Sequence, residues 1–96
     1  MFRHIVMWNL NEGTTEANVQ EVKAVLENLK NLVPEVVDIK VHTDPIPPYS
    51  NRVMMLDARF ADEKDFLAYM VNADHKAAGE TVIKYVTDRA VFDYYE

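Results

Sequence analysis

The residues with the clearest capacity for acid–base chemistry in this 96-residue sequence are its three histidines. His4 lies within a row of alternating apolar residues, which consists of Phe2, Val6, Trp8 and Leu10. The alternation predicts that its ring faces the interior, where loss of solvent would keep the imidazole neutral near pH 7 and able to accept a proton. The alternative is a core histidine hydrogen-bonded to a backbone carbonyl, which is the more common role of a buried polar group.

Tyr69 and His75 flank a break in helical periodicity at Asn72-Ala73-Asp74. The Tyr69 phenol could donate a hydrogen bond to an oxygen that gains negative charge; otherwise it is a partly buried aromatic residue with its hydroxyl in water. His75 directly follows the break, and irregular segments on a rigid scaffold often carry function. The competing interpretation of His75 is a surface histidine at a helix start.

The rest of the composition excludes several kinds of chemistry. His42 lies with Asp38 and Lys40 on the polar side of a strand, and no pair of histidines has the spacing of a metal-binding motif, so no metal site is expected. The sequence has no cysteine and only two glycines. Thiolate chemistry and glycine-rich nucleotide-binding loops are therefore excluded, and no cofactor is predicted. A net charge of -6 disfavours nucleic acid and anionic membranes as partners.

The length favours one domain over residues 1–96. No apolar run approaches the length needed to span a bilayer, and the N-terminal residues do not resemble a signal peptide. A cytoplasmic location is the expectation.

Sequence periodicity predicts strands over residues 2–10, 36–43, 52–60 and 87–95. A first helix, capped by Thr14 or Thr15, ends before Pro34. A second helix begins at Asp62, is interrupted at residues 72–74, and resumes over 75–86. The resulting β-α-β-β-α-β order predicts a ferredoxin-like α+β fold, in which both helices pack on one face of a four-stranded antiparallel sheet.

Three of these strands carry apolar residues on both sides. The apolar residues behind the main rows are Ile5, Met7, Val53, Met55 and Val91. In the fourth strand, the main row is expected to consist of Ala90, Phe92 and Tyr94. A sheet with one face in water should alternate more cleanly. We therefore expect a second copy of the chain to cover the other face, which predicts a homodimer through the sheet faces.

The sequence also resembles the Dabb family, the stress-responsive dimeric α/β-barrel domains, over nearly its whole length. The segments that carry the resemblance are Arg3-His4-Ile5-Val6, Glu12-Gly13-Thr14, Leu32-Val33-Pro34, Phe60-Ala61-Asp62, Tyr69, Asn72-Ala73-Asp74-His75 and the tail at residues 88–94. The resemblance implies that two ferredoxin-like chains form a dimeric α/β barrel.

The family includes stress-associated proteins without a clear activity and plant polyketide cyclases that work without metal or cofactor. In the cyclases, a strand-one histidine and a later tyrosine and histidine line a pocket between sheet and helices, and these positions match His4, Tyr69 and His75. The resemblance thus implies that these three are catalytic. The substrate-binding residues expected around them are Val6, Trp8, Val22, Leu26 and Leu56.

Three functions remain open at this stage. The first is a cofactor-free acid/base cyclase or isomerase that binds a small, partly apolar carbonyl compound of polyketide type. The second is a non-catalytic stress or ligand-binding protein, and the third is a cofactor-independent monooxygenase, which fold analogy alone supports. A pocket beside His4 that is open, rather than filled by Trp8, Leu26 and Tyr69, would favour the first over the second.

Overall fold

The chain folds into the ferredoxin-like α+β architecture that the sequence predicts. The computed structural model describes all residues from 1 to 96. The elements are β1 (Phe2–Leu10), α1 (Glu16–Glu27), α2 (Leu29–Leu32), β2 (Val36–His42), β3 (Met54–Phe60), α3 (Glu63–Val71), α4 (Ala73–Val82) and β4 (Val86–Tyr95). None of the helices has the length and apolar character that crossing a membrane requires.

Side chains at the helix starts fix where the helices begin. At α1, the Asn18 amide donates to the Thr15 hydroxyl over 3.2 Å, and the Thr15 amide donates to the Asn18 side chain over 3.0 Å. This reciprocal capping box satisfies two backbone donors that a helix start leaves free. At α3, the Asp62 carboxylate accepts from the Asp65 amide. Both predicted caps are confirmed, with Thr15 rather than Thr14 at α1.

Asn72 ends α3 and starts α4. Its side chain accepts hydrogen bonds from the amides of Asp74 and His75, at 2.8 and 3.4 Å. The predicted break is therefore a helix cap that redirects the chain, and the second segment runs over Ala73–Val82 instead of 75–86. Tyr69 consequently lies in the last turn of α3, and His75 lies in the first turn of α4.

The four strands form one antiparallel sheet in the order β2-β3-β1-β4. His4 is paired with Ala58 of β3 and Asp93 of β4, and Val6 is paired with Leu56 and Val91. Paired residues point to the same side of a sheet, so these side chains share the helix-facing side. The core of eighteen buried residues lies on this side.

The predicted facing of β4 is wrong. Val91 pairs with the buried Val6 and therefore lies on the helix-facing side, whereas Phe92 and Tyr94 lie on the other side and are 65% and 37% exposed. The more apolar row of β4, which consists of Ala90, Phe92 and Tyr94, lies on the outer side of the sheet rather than on the inner side. Two apolar rows cannot be told apart by hydrophobicity alone.

The outer side of the sheet is partly apolar and also holds an ion cluster around the buried Arg3. Met7 and Met55 are half-buried there, and the loop between β2 and β3 lies against them around a cavity of about 320 Å³. At the other end, the Arg3 guanidinium donates to the Asp57 carboxylate at 2.7 and 2.8 Å and to Glu96 at 3.0 Å. Only 8% of Arg3 is exposed.

Candidate functional site

A cavity of about 230 Å³ opens between the sheet and helix α4. Its walls come from β1, β3 and β4 on the sheet side and from α1, α3 and α4 on the helix side. Eight of its twelve lining residues are hydrophobic. One of these eight is Tyr69, which carries a phenol, and two histidines line the cavity as well, so it combines an apolar body with groups that can transfer protons.

The sequence predicted most of these walls. His4, Tyr69 and His75 all line the cavity. The predicted apolar residues that line it with them are Val6, Trp8, Leu26 and Leu56. Val22 does not reach it: this side chain is fully buried in the core. Trp8, Leu26 and Tyr69 form walls and leave the space beside His4 open.

His4 forms a hydrogen-bonded pair with Asp93. Its Nδ1 lies 2.5 Å from Asp93 Oδ1, and the His4 side chain is 5% exposed while that of Asp93 is 34% exposed. Because a carboxylate only accepts, Nδ1 carries the proton when the imidazole is neutral, and Nε2 is left as the acceptor. Burial lowers the pKa of His4 and outweighs the hydrogen bond to Asp93, which acts in the opposite direction. The imidazole is therefore neutral near pH 7.

Tyr69 and His75 form a second polar group in the cavity. Their ring centroids lie 4.1 Å apart, across the Asn72 cap that joins their helices. Burial raises the pKa of Tyr69 far above its usual range, so the phenol stays protonated. Burial also lowers the pKa of His75, against the effect of the Met70 backbone carbonyl. His75 Nδ1 is buried without a hydrogen-bond partner.

Aromatic packing holds these groups in place. The Phe66 ring of α3 lies 4.8 Å from the His4 ring, and the Phe60 ring lies 4.9 Å from that of Tyr69. Phe66 and Phe60 are themselves in edge-to-face contact at 5.6 Å. A continuous aromatic cluster therefore links the strand histidine to the helix tyrosine, which favours one fixed arrangement of both rings.

Two charged residues of the site were not predicted from the sequence. They are Asp93, the partner of His4, and Arg89, which lines the cavity. The signal for Asp93 lay in strand pairing, since β4 runs antiparallel beside β1 and places residue 93 opposite His4. His42 lies away from the site and is exposed on β2. No three His, Cys, Asp or Glu residues are grouped so that they could hold a metal ion.

The fold and this cavity define a ferredoxin-like α+β protein with an apolar site that carries acid–base groups. The sequence matches the Dabb family, the stress responsive A/B barrel domain, over residues 2–96, and the chain belongs to this family. No curated protein matches the sequence significantly.

Several solved structures share the fold across nearly the whole chain. A protein of Arabidopsis thaliana is 15% identical with a TM-score of 0.90, covering 100% of this chain and 95% of its own. A dimeric ferredoxin-like protein of unknown function from Thermobifida fusca is 25% identical with a TM-score of 0.87, covering 99% and 90%. The hydroxynitrile lyase of Passiflora edulis is 21% identical with a TM-score of 0.86, covering 97% and 90%.

Proposed function

We propose that residues 1–96 form one domain that acts as a cofactor-free acid/base enzyme on a small, partly apolar carbonyl compound. The observation that carries the proposal is the His4–Asp93 pair. The pair leaves Nε2 of His4 free, and His4 lines the same cavity as Tyr69 and His75. A core histidine satisfied by a backbone carbonyl would need neither a carboxylate partner nor an open space beside it.

His4 is the general base in this proposal. With Nδ1–H donated to Asp93, Nε2 takes a proton from the carbon next to the substrate carbonyl, and the electrons of the broken C–H bond form the enolate. Asp93 fixes the tautomer and stabilises the imidazolium that results, which is the role of the carboxylate in other histidine–carboxylate pairs. Since the pKa of His4 is lowered, the base is already in its active form at neutral pH.

Tyr69 and His75 stabilise the enolate, and the imidazolium formed on His4 returns the proton. The Tyr69 phenol remains protonated because burial raises its pKa, so it can donate to the enolate oxygen. His75 Nδ1 has no protein partner. A buried ring nitrogen of this kind costs about 1–3 kcal/mol if it stays unpaired. Cyanohydrin cleavage also requires a general base, although the proton it removes is on oxygen, and the Passiflora edulis protein of this fold is a hydroxynitrile lyase.

The cavity volume limits the size of the substrate. A dry apolar cavity of about 150 Å³ holds benzene. By this measure, the 230 Å³ next to His4 accommodates a molecule of about nine or ten non-hydrogen atoms. A single substituted ring or a branched chain of this size would bury most of its surface against the apolar walls.

The test is proton exchange at the carbon next to a carbonyl. Phenylacetone in D₂O serves as the probe, and loss of its α-proton signals is followed by ¹H NMR with and without the protein. We expect His4→Asn and His75→Asn each to lower the exchange rate by about 10²–10⁴-fold, as is typical of a lost acid or base. His42→Asn is the matched control, because His42 is exposed and lies away from the cavity.

The same measurement separates an enzyme from a binding protein. If wild type accelerates exchange and only the two cavity variants lose it, the acid/base proposal holds. Exchange that is no faster than in buffer, or equal in all folded variants, would contradict it and favour a non-catalytic stress or ligand-binding protein. Circular dichroism of each variant tests whether the fold is retained.

We also propose that two copies pair through the outer side of the sheet. Met7 and Met55 lie on this side, Phe92 and Tyr94 add exposed aromatic surface, and no helix of the chain covers it. The Thermobifida fusca protein of this fold is described as dimeric. A stable assembly of this kind buries roughly 1,200–2,000 Å² or more. Light scattering at micromolar concentration should give twice the mass of the chain.

A further inference from the structure

Arg89 is a cation of the cavity without an acidic partner. It lines the cavity and is exposed. The salt bridges of the chain use other basic residues, namely Arg3, His4, Lys23 and Lys30. In a chain with 16 acidic residues and a net charge of -6, an arginine that pairs with none of them remains available to a ligand.

A bulge in β4 lies directly beside Arg89. The pairing of β4 with β1 shifts between Met7 and Asn9, so two residues of β4, Asp88 and Arg89, lie opposite Trp8 alone. Asp88 adopts a φ of +52°, a left-handed conformation that is unfavourable for a residue with a Cβ. Bulges are frequent beside functional sites because they redirect a side chain, and backbone strain is concentrated at such sites.

Two hydrogen bonds from neighbouring segments hold this bulge. The Arg52 Nε donates to the Asp88 carbonyl over 2.8 Å, and the Asn9 side chain donates to the Asp88 carboxylate over 3.3 Å. The strained conformation is thus held by contacts outside β4 itself. In this conformation the Asp88 carboxylate accepts a hydrogen bond from Asn9 and forms no salt bridge with the neighbouring Arg89.

The guanidinium is the permanently charged group among the residues that line the cavity, because the Asp93 carboxylate does not line it and is hydrogen-bonded to His4. Burial lowers the pKa values of His4 and His75, and the positive charge of Arg89 acts in the same direction on both. Both rings are therefore neutral near pH 7, and Tyr69 is protonated. An anionic group of a ligand in this cavity would meet one fixed positive charge.

We propose that Arg89 binds the carboxylate of the substrate, so that the ligands of this cavity are small monocarboxylic acids with an apolar body. This inference rests on the proposed function of the same cavity. The planar guanidinium matches a carboxylate through two parallel N–H···O bonds. A single arginine balances one negative charge, whereas the dianion of a phosphate ester would need further donors, which the apolar walls do not supply.

The test compares an acid with its uncharged isostere. Phenylacetate and phenylacetamide have the same shape, and their dissociation constants are measured by ligand-observed NMR titration with the full chain at pH 7. We expect wild type to prefer the acid by roughly 3- to 10-fold, since solvent screens part of the pairing with an exposed arginine. Arg89→Gln should remove the preference for the acid over the amide, and Arg89→Lys should retain part of it.

Lys84→Gln is the matched control, since it removes the same charge from an exposed residue that does not line the cavity. Equal affinity of wild type for the two probes, saturable binding of neither, or an acid preference that survives Arg89→Gln would each overturn the inference. An acid preference that depends on Arg89, combined with proton exchange that does not depend on His4, would refute the proposed catalysis and leave the carboxylate site standing.

Discussion

The change Asp93→Asn tests whether the carboxylate makes His4 a base. Asp93 Oδ1 accepts from His4 Nδ1, and this contact determines which ring nitrogen remains free for a substrate. Asparagine has the same shape, but its amide can donate as well as accept. In the variant, part of the population will hold the opposite His4 tautomer, in which Nε2 carries the proton. In that tautomer Nε2 cannot accept a proton from the substrate.

The size of the effect follows from the strength of one charged hydrogen bond. Such a bond contributes about 1.5–3 kcal/mol, which corresponds to a loss of about 10- to 150-fold in rate. The Asp93 side chain is 34% exposed, so solvent screening favours the lower half of this range. The free energy of unfolding should change by less than about 1 kcal/mol, because asparagine retains a hydrogen bond to the ring.

Two measurements follow the rate and the tautomer separately. The first is α-proton exchange of phenylacetone in D₂O, and the second is ¹⁵N NMR of the His4 ring, which distinguishes a protonated Nδ1 from a protonated Nε2. Asp44→Asn is the matched control, because it removes one negative charge from an exposed loop residue. We expect the control to exchange protons at the wild-type rate.

One combination of results would refute this reasoning. If the NMR spectrum shows that Asp93→Asn changes the tautomer and the exchange rate stays within about twofold of wild type, then His4 Nε2 is not the base. A fall in rate with an unchanged tautomer would instead assign Asp93 to stabilising the imidazolium alone. Loss of folding is detected by near-UV circular dichroism before either measurement.

Three further predictions concern stability and assembly. The free energy of unfolding should fall as the pH drops below about 6.5, because folding lowers the pKa values of His4 and His75 and the unfolded chain therefore binds protons first. Urea denaturation between pH 7.5 and 5.5 measures this change, and a free energy that does not depend on pH would contradict the prediction. Met55→Asp should give a monomer or an unfolded chain by light scattering, because it places an unpaired charge in the proposed interface, and an intact dimer contradicts the pairing. Gly79→Ala should raise the stability by about 0.5–1 kcal/mol, since an added Cβ meets no atom within 4 Å and alanine favours the helix; a lower melting temperature would show hidden crowding.

Local signals were sufficient to predict the fold and the facing of β1. The alternation from Phe2 to Leu10 gives the strand and points His4 inward, and the helix starts at Thr15 and Asp62 follow from short polar side chains that accept backbone hydrogen bonds. These features depend on residues a few positions apart, so the sequence contains them directly. Asn72 was equally visible as a break, and it places Tyr69 and His75 on opposite sides of one cap.

The charged part of the site depends on a register that no local pattern specifies. Asp93 meets His4 only because β4 pairs with β1 at that register, and the bulge at Asp88 changes the alternation before Arg89. The outer row of β4 is also more apolar than its inner row, so hydrophobicity predicted the wrong face. In a strand with one solvent-exposed face, the alternation of polar and apolar residues indicates which face points inward. In a strand with two apolar faces it does not.

The pairing that builds the site is stabilised from the opposite side of the sheet. Arg3 and His4 are neighbours in β1 and point to opposite faces, as Tyr94 and Asp93 do in β4. A slip of one residue between these strands would separate Asp93 from His4 and leave a carboxylate on the apolar outer side. It would also break the contact of Arg3 with Glu96 and with the Tyr94 ring, which the guanidinium approaches to 5.7 Å. The contacts of the buried Arg3 with Glu96 and Tyr94 on the outer face therefore favour the strand register on which the acid–base pair of the inner face depends.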